Sequence, residues 1–420
     1  MANHLCYNEI MKFEEISAED FRAFANQSPY KSFMQTPEIA ELRGKSGWTA
    51  HYVAVKKDDE ILGASMLVSK PAFMKKLYFY APGGPLMDLE NTKLVDFFFD
   101  NLKSYIKSKN GYLLHIDPYY ELIERDRDGL PVEGGFNHKK ALENLEKQGF
   151  KEMKNASQPK YLFVTPIENR TETELMESFK RNTRNHIRKA EKMGVTIREL
   201  SRDELDKFKK ITESTSERRH FTDKPLSYYE TMYDLFHARG EVKFMVAEAV
   251  VSEVGMERGL SEDKVENGSF ETIPGNGSER SEEPEGSSED HKLGRSPEAY
   301  EVAASSVSEE DNSGDRTVLS AAMFMTYGDE VVYLFSGSDE KYMRDYNAQY
   351  LIQYHMLKFA AANHFKIYNF YGINGLPDEN SKDYGIYEFK KGFGGHVVEL
   401  IGSFELSLSK TYTLAKKIRH

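Results

Sequence analysis

The same strand-and-turn pattern occurs twice in this chain. Residues 50–69, AHYVAVKKDDEILGASMLVS, read as two strands about a tight polar turn at Lys57–Asp58–Asp59, and KLYFYAPGGPL supplies a third. Much later, EVKFMVAEAV (241–250) and TVLSAAMFMTYGDEVVYLFSGS (317–338) give three strands again once the residues between them are set aside. ILGASMLV and VLSAAMFM match in pattern. Short apolar runs bounded by turn residues read as strands. Either two meanders are alike by chance or the chain holds a duplicated unit, and we take the second reading.

The residues set aside form a tract of another character. Residues 251–316 hold 18 of the 68 acidic residues and only 6 of the 56 basic ones, so the formal net charge of -12 lies entirely there. The tract also has 12 serines and 8 glycines. Such a composition buries too little apolar surface to offset chain entropy, which predicts disorder. It falls in the hairpin of the second meander, and loop tips tolerate insertions.

Helical patterns surround each meander. SAEDFRAFANQ, with Ser17 as N-cap, precedes the first, and NTKLVDFFFDNLKSYIKSK follows it with apolar residues at helical spacing. YLLHIDPYYEL reads as a strand, and HKKALENLEKQGF as a helix closed by Gly149. Around the second meander stand SRDELDKFKKITESTSERR, YLIQYHMLKFAAANH and the strand KIYNFYG. Helix, meander, helix, strand is the order of an acyltransferase fold of the GNAT type. The fold class is therefore mixed α/β, with two GNAT-like domains at 11–155 and 156–404, the tract as an insertion in the second, and a helical C-terminal segment at 405–420.

Between the halves, Lys180, Arg184, Arg188 and Lys192 are spaced by four and share a helical face that Arg181 and Lys189 widen. Like charges at this spacing weaken a helix by tenths of a kcal/mol per pair. We read the face as a phosphate-binding stripe for nucleic acid, against the plainer alternative of a solvated surface.

Other chemistries find no support. There is no GxxxxGK[ST], HExxH, GxSxG or EF-hand loop, and the 12 histidines form no ligand-spaced pair. The single cysteine, Cys6, excludes an intramolecular disulfide and a cysteine-based zinc site. We expect no metal and no cofactor. No run of 18 apolar residues spans a membrane, the N-terminus lacks a secretory h-region, and Met11 is a candidate start, so the expected compartment is the cytoplasm. The loop that cradles acetyl-CoA pyrophosphate in GNAT enzymes is missing; APGGPLMDLE and SGSDEKYMRDYNAQY stand in its two places.

Five stretches in order resemble the Fem family of peptidoglycan bridge peptidyltransferases. They are YAPGGPLMDLENTKLVDFFFDNL, LLHIDPYY, FKRNTRNHIRKAEKMGVTIREL, YLFSGSDEKYMRDYNAQYLIQYHMLKFA and YNFYGINGLPDENSKDYGIYEFKKGFGGHVVELIGSF. The resemblance covers about residues 11–250 and 317–415. It implies two GNAT-like domains, aminoacyl-tRNA as donor, and an acceptor amine on the stem peptide or bridge of lipid II or UDP-MurNAc-pentapeptide. It gives the basic helix a partner in tRNA. It also allows peripheral membrane contact, which the basic C-terminal KTYTLAKKIRH would assist.

The resemblance places the family's catalytic lysine on Lys390, in an aromatic run read as a strand end. A cation there would stabilise the tetrahedral oxyanion of ester aminolysis, worth about 3–4 kcal/mol for one such donor. An ordinary lysine, with a pKa of about 10.4, stays charged at neutral pH. The backbone carbonyl of Phe389 would accept from the attacking amine, and Gly392, Gly394 and Gly395 would let the backbone approach the substrate. Arg43 and Lys224 occupy places that meet a nucleotide diphosphate, Tyr228 a neighbouring aromatic, and Tyr333 a pocket tyrosine, with Phe335 where a second tyrosine is found. Asp117 of HIDP is a family landmark, structural or catalytic.

One stretch departs from the family. Longer members carry a heptad-patterned helical arm where this chain has its acidic tract, and no heptad survives here. Either a flexible linker replaces the arm or a compensated pair of frameshifts has altered its reading. Two further functions share the scaffold: a small-molecule N-acyltransferase using acyl-CoA, and a non-catalytic tRNA- or precursor-binding protein.

Overall fold

The computed structural model describes residues 11–154, 156, 158–219, 222–251, 316–381 and 383–413. The predicted disorder of the acidic tract and residues 414–420 of the predicted C-terminal helix lie outside them.

The first half runs β1 (Lys12–Glu15), α1 (Ala18–Gln27), α2 (Pro37–Gly44), β2 (Thr49–Lys57), β3 (Glu60–Pro71), β4 (Leu77–Gly83), α3 (Thr92–Ser108), β5 (Gly111–Pro118), β6 (Glu121–Glu124), α4 (Lys139–Lys147) and β7 (Lys151–Glu152). Local chemistry explains its joints. The Ser17 side chain accepts from the Asp20 amide and caps α1. Asp58 and Asp59 both have positive φ, as the tight β2–β3 hairpin requires. In α3 the buried residues Leu94, Val95, Phe98, Phe99, Leu102 and Ile106 form one helical face.

The second half repeats the plan: β8 (Tyr161–Pro166), α5 (Glu172–Ser178), α6 (Arg181–Lys192), β9 (Thr196–Glu199), α7 (Leu205–Arg219), α8 (Leu226–Phe236), β10 (Val242–Val250), β11 (Arg316–Tyr327), β12 (Glu330–Ser338), α9 (Glu340–Tyr346), α10 (Ala348–Ala362), β13 (Ile367–Ile373), α11 (Tyr384–Lys391), β14 (His396–Leu400) and β15 (Phe404–Ser407). The fold is mixed α/β. In each half an antiparallel meander ends on a strand whose next neighbour is parallel, β4 beside β5 and β12 beside β13. The crossover helices α3 and α10 make those parallel pairs possible.

The sheets are ordered β1-β2-β3-β4-β5-β15-β7 and β6-β14-β8-β13-β12-β11-β10-β9. Read outward from β1 and from β9, the two orders match through five strands, so the duplication is real. The completing strands are exchanged. The strand beyond β5 is β15, from the chain's far end, whereas β6 leaves the first half to lie on the edge of the second sheet. The C-terminal segment read as helical thus begins as a strand of the first sheet.

A shared core joins the halves. Met66, Val68 and Tyr80 of the first sheet belong to one apolar cluster with Phe244, Met323 and Met325 of the second, between α1, α2, α7 and α8. Glu38 on α2 is buried and accepts from Arg22 at 2.5 Å and from Arg239 just before β10. The outer faces have their own cores, under α3 and α4 in the first half and under α6, α10 and α11 in the second.

Candidate active site

YGIYEFKK is helical, not the strand end its aromatic content suggests. In α11 the residues Ile386, Tyr387, Phe389 and Lys390 are buried, at helical spacing. Packing beneath β13 overrides local β preference. Phe389 and Phe393 pack edge-to-face, and Tyr350 of α10 meets Phe389 in the same way at 5.0 Å.

Lys390 is 1 % exposed, and its Nζ donates to the carbonyl of Gly372 at 2.5 Å. That carbonyl follows a bulge in β13, where pairing with β8 shifts between Asn369 and Gly372 and Tyr371 takes a φ of 62°. Burial pushes the Lys390 amine down to about 7. The expectation of a permanently charged lysine is therefore corrected: both protonation states are accessible at neutral pH. Lys391 is held differently. Partial burial works against its charge, but Asp128 and Tyr387 keep its amine well above the ordinary value. It pairs with Asp128 and ties α11 to the loop after β6.

Gly392 and Gly395, after Lys391, approach the protein itself closely. A Cβ on Gly392 would stand 2.3 Å from Thr183 Oγ1 of α6, and one on Gly395 would stand 2.1 Å from the Val164 carbonyl. The Phe389 carbonyl already accepts from the Gly392 amide at 3.1 Å.

α6 is docked on this turn. The Lys180 amide donates to the Gly392 carbonyl at 2.8 Å, and Lys180 Nζ pairs with Glu388 at 2.7 Å. Arg184 turns back to the Phe179 carbonyl at 2.5 Å and the Glu177 carbonyl at 3.2 Å. Lys189 is exposed and reaches the Arg344 carbonyl at 3.3 Å. The basic row is thus split: Lys180 and Arg184 fasten the helix, while Arg181, Arg188, Lys189 and Lys192 lie on its exposed side.

A second group of the expected residues gathers between the halves. The Arg43 guanidinium lies over Tyr80 at 4.9 Å, and the Tyr80 hydroxyl donates to Asp117 at 2.5 Å. The Gly83 amide donates to the other Asp117 oxygen at 2.6 Å. Burial pushes the Asp117 carboxyl up to about 7 against these donors and Arg43. Lys224 Nζ sits over Tyr228 at 5.6 Å, and Tyr228 meets Phe335 edge-on. Tyr333 lies elsewhere. A bulge in β12 sends Tyr333 into the outer core of the second half and Phe335 toward the shared core. The Tyr333 hydroxyl is enclosed between Ser336 and Gln349. Tyr333 and Phe335 thus face different cores.

The sequence reading missed a cleft lined by Asp117, Tyr119, Gln158, Glu330, Asn369 and Tyr371, among others. Tyr119 and Asn369 donate to Glu330 at 3.0 and 3.1 Å, and Tyr371 donates to Gln158 at 2.5 Å. Burial pushes the Glu330 carboxyl up. Glu330 opens a strand and Asn369 and Tyr371 sit in a bulge, so no local pattern marked them. Tyr371 lines this cleft, and the next residue, Gly372, receives Lys390; one bulge serves both places. Among the described residues no group of three His, Cys, Asp or Glu side chains is placed to hold a metal.

Two sheets of the same order around a shared core define a tandem α/β architecture, and the crystal structure of FemX has it: TM-score 0.71 and 22% identity, covering 97% of this chain and 100% of that one. The model of the FemAB family matches residues 16–420, and the chain belongs to that family. The aminoacyltransferase FemA of Staphylococcus aureus is 28% identical over 425 residues, covering 97% of this chain and 99% of the relative.

Proposed function

We propose that this chain is an aminoacyltransferase of peptidoglycan bridge building. It moves an amino acid from aminoacyl-tRNA to an amine on the stem peptide or bridge of lipid II or UDP-MurNAc-pentapeptide. Family membership and the full-length likeness to proteins named aminoacyltransferase support the transfer. Lys390 carries the reading: it is a buried amine with one carbonyl partner, on the helix that the basic helix grips.

The reaction is aminolysis of an ester. The acceptor amine attacks the aminoacyl carbonyl, and a C–N bond forms. An amine near pKa 7 suits the proton traffic. Neutral Lys390 takes the proton that the attacking nitrogen must lose. The ammonium so formed faces the oxyanion of the tetrahedral intermediate. On collapse the C–O bond to the tRNA ribose breaks, and Lys390 returns its proton to the departing hydroxyl. The Phe389 backbone carbonyl, in the residue before Lys390, orients the attacking amine. Arg43 and Lys224 supply positive charge for a diphosphate, with Tyr228 and Asp117 around them. Arg181, Arg188, Lys189 and Lys192 present an exposed cationic side for the tRNA backbone.

The test is transfer of radiolabelled amino acid from a mixed pool of charged tRNA. Lipid II, UDP-MurNAc-pentapeptide and acetyl-CoA run in parallel, with Lys390→Ala as control. Lysine-dependent label on a stem peptide is expected, and it names the amino acid and the acceptor. Acetyl transfer to a small amine would favour the acyl-CoA alternative, and tRNA binding without transfer would favour a binding protein.

A further inference from the structure

The hairpin between β3 and β4 lies at the opposite end of β4 from the cleft. Its sequence, KPAFMKKL, has three lysines and no acid. Met74 at its tip is 73% exposed, the most exposed large apolar side chain among the described residues. Met74 and Lys75 both have positive φ, at 51° and 61°, a conformation that glycine or asparagine adopts far more readily. The tip therefore places a long apolar and a long cationic side chain where a conventional turn residue would fit better.

The segment after β15 comes to the same place. Tyr412 packs edge-on against Phe73 at 5.5 Å and Tyr112 at 4.7 Å. Lys410, two residues before Tyr412, is exposed. Lys70, at the hairpin's other side, stands over Trp48 at 4.6 Å.

We infer that this tip is a docking surface for the anionic face of a lipid bilayer. Its cations match acidic headgroups, and Met74 has an apolar layer to enter. An RNA backbone would match the lysines but offers nothing to an exposed methionine. The geometry also suits a lipid-linked acceptor. The seven residues of β4 run from the tip to Gly83 at the cleft, about 20 Å at the usual rise per residue. A stem-peptide amine projecting from the membrane must reach such a height. In this last respect the inference rests on the proposed function; the docking itself does not.

The experiment is co-sedimentation of the full chain with vesicles of phosphatidylglycerol and phosphatidylcholine, and with phosphatidylcholine alone. Binding to the anionic vesicles only is expected. Lys75→Gln with Lys76→Gln should weaken it about fivefold for each lysine removed, and Met74→Ser should weaken it further. All three sites are on the surface, so unfolding midpoints should not change. Equal retention of wild type and variants on anionic vesicles overturns the surface, as does loss of tRNA binding in place of vesicle binding. Vesicle binding in a protein that fails to transfer label would leave the surface standing and sink the enzyme reading instead.

Discussion

Asp117 and Lys390 are buried ionisable groups, one beside the parallel strands of each half, and the two are held in opposite ways. Asp117, on β5, has a donor on each oxygen, the Tyr80 hydroxyl and the Gly83 amide. Lys390, against β13, has a single hydrogen bond among the described residues, to the Gly372 carbonyl. Burial moves both toward pH 7, one from above and one from below. Their unmet needs differ. The carboxyl is satisfied by its own fold, whereas the amine keeps hydrogen-bonding capacity for a group the chain does not supply. A buried group with its partners in place holds structure together; one left under-partnered is available for chemistry.

The largest effect should fall on Lys390. Lys390→Met is expected to lower transfer by about 10²–10³-fold while the unfolding midpoint holds or rises, because a poorly partnered buried amine is removed. A fall in stability with unchanged turnover per folded molecule would erase the contrast. Next comes the basic helix, docked on the Lys390 side only. Replacing Arg181, Arg188 and Lys192 with alanine should weaken binding of charged tRNA. It should also flatten the salt dependence of affinity by about 0.7–0.9 for each phosphate no longer neutralised; filter binding at several salt concentrations reads this.

Asp117→Asn tests the other side. Its amide must face one of the two donors, so we expect a loss of about 1–3 kcal/mol in urea unfolding with transfer per folded molecule retained. A collapse of transfer at full stability would move Asp117 into the chemistry.

The smallest effect has a definite sign. In the folded protein Asp117 binds its proton up to about pH 7 instead of its ordinary 3.8, so its contribution to stability is lost as pH rises through that window. Lys390 holds its proton only up to about 7 instead of 10.5, so its contribution is gained from pH 7 upward. Stability against pH should therefore lose its falling limb in Asp117→Asn and its rising limb in Lys390→Met.

Much of this was legible in the letters. The meanders, the capped α1, the apolar face of α3 and the double plan follow from periodicity and turn chemistry, which are local. Lys390 was found through resemblance; its burial depends on how α10, α11 and β13 meet, and no short window reports that. The same holds for α11, whose aromatic residues prefer strands in isolation. Strand alternation would put positions 333 and 335 on one face, and the β12 bulge, which no short window reports, sets them on two. Gly392 is a similar case: glycine signals close approach, but only the fold shows that one neighbour is Thr183.

The exchange of completing strands has a consequence for synthesis. β15, at Phe404–Ser407, is the neighbour that β5 requires, and it is made only after the rest of the second half. For most of translation β5 therefore presents an unpaired edge, the kind of surface on which nascent chains associate wrongly. A fragment cut between the halves keeps that edge open permanently. The two halves look like tandem modules, but they mature as a single unit, and only once β15 has been made.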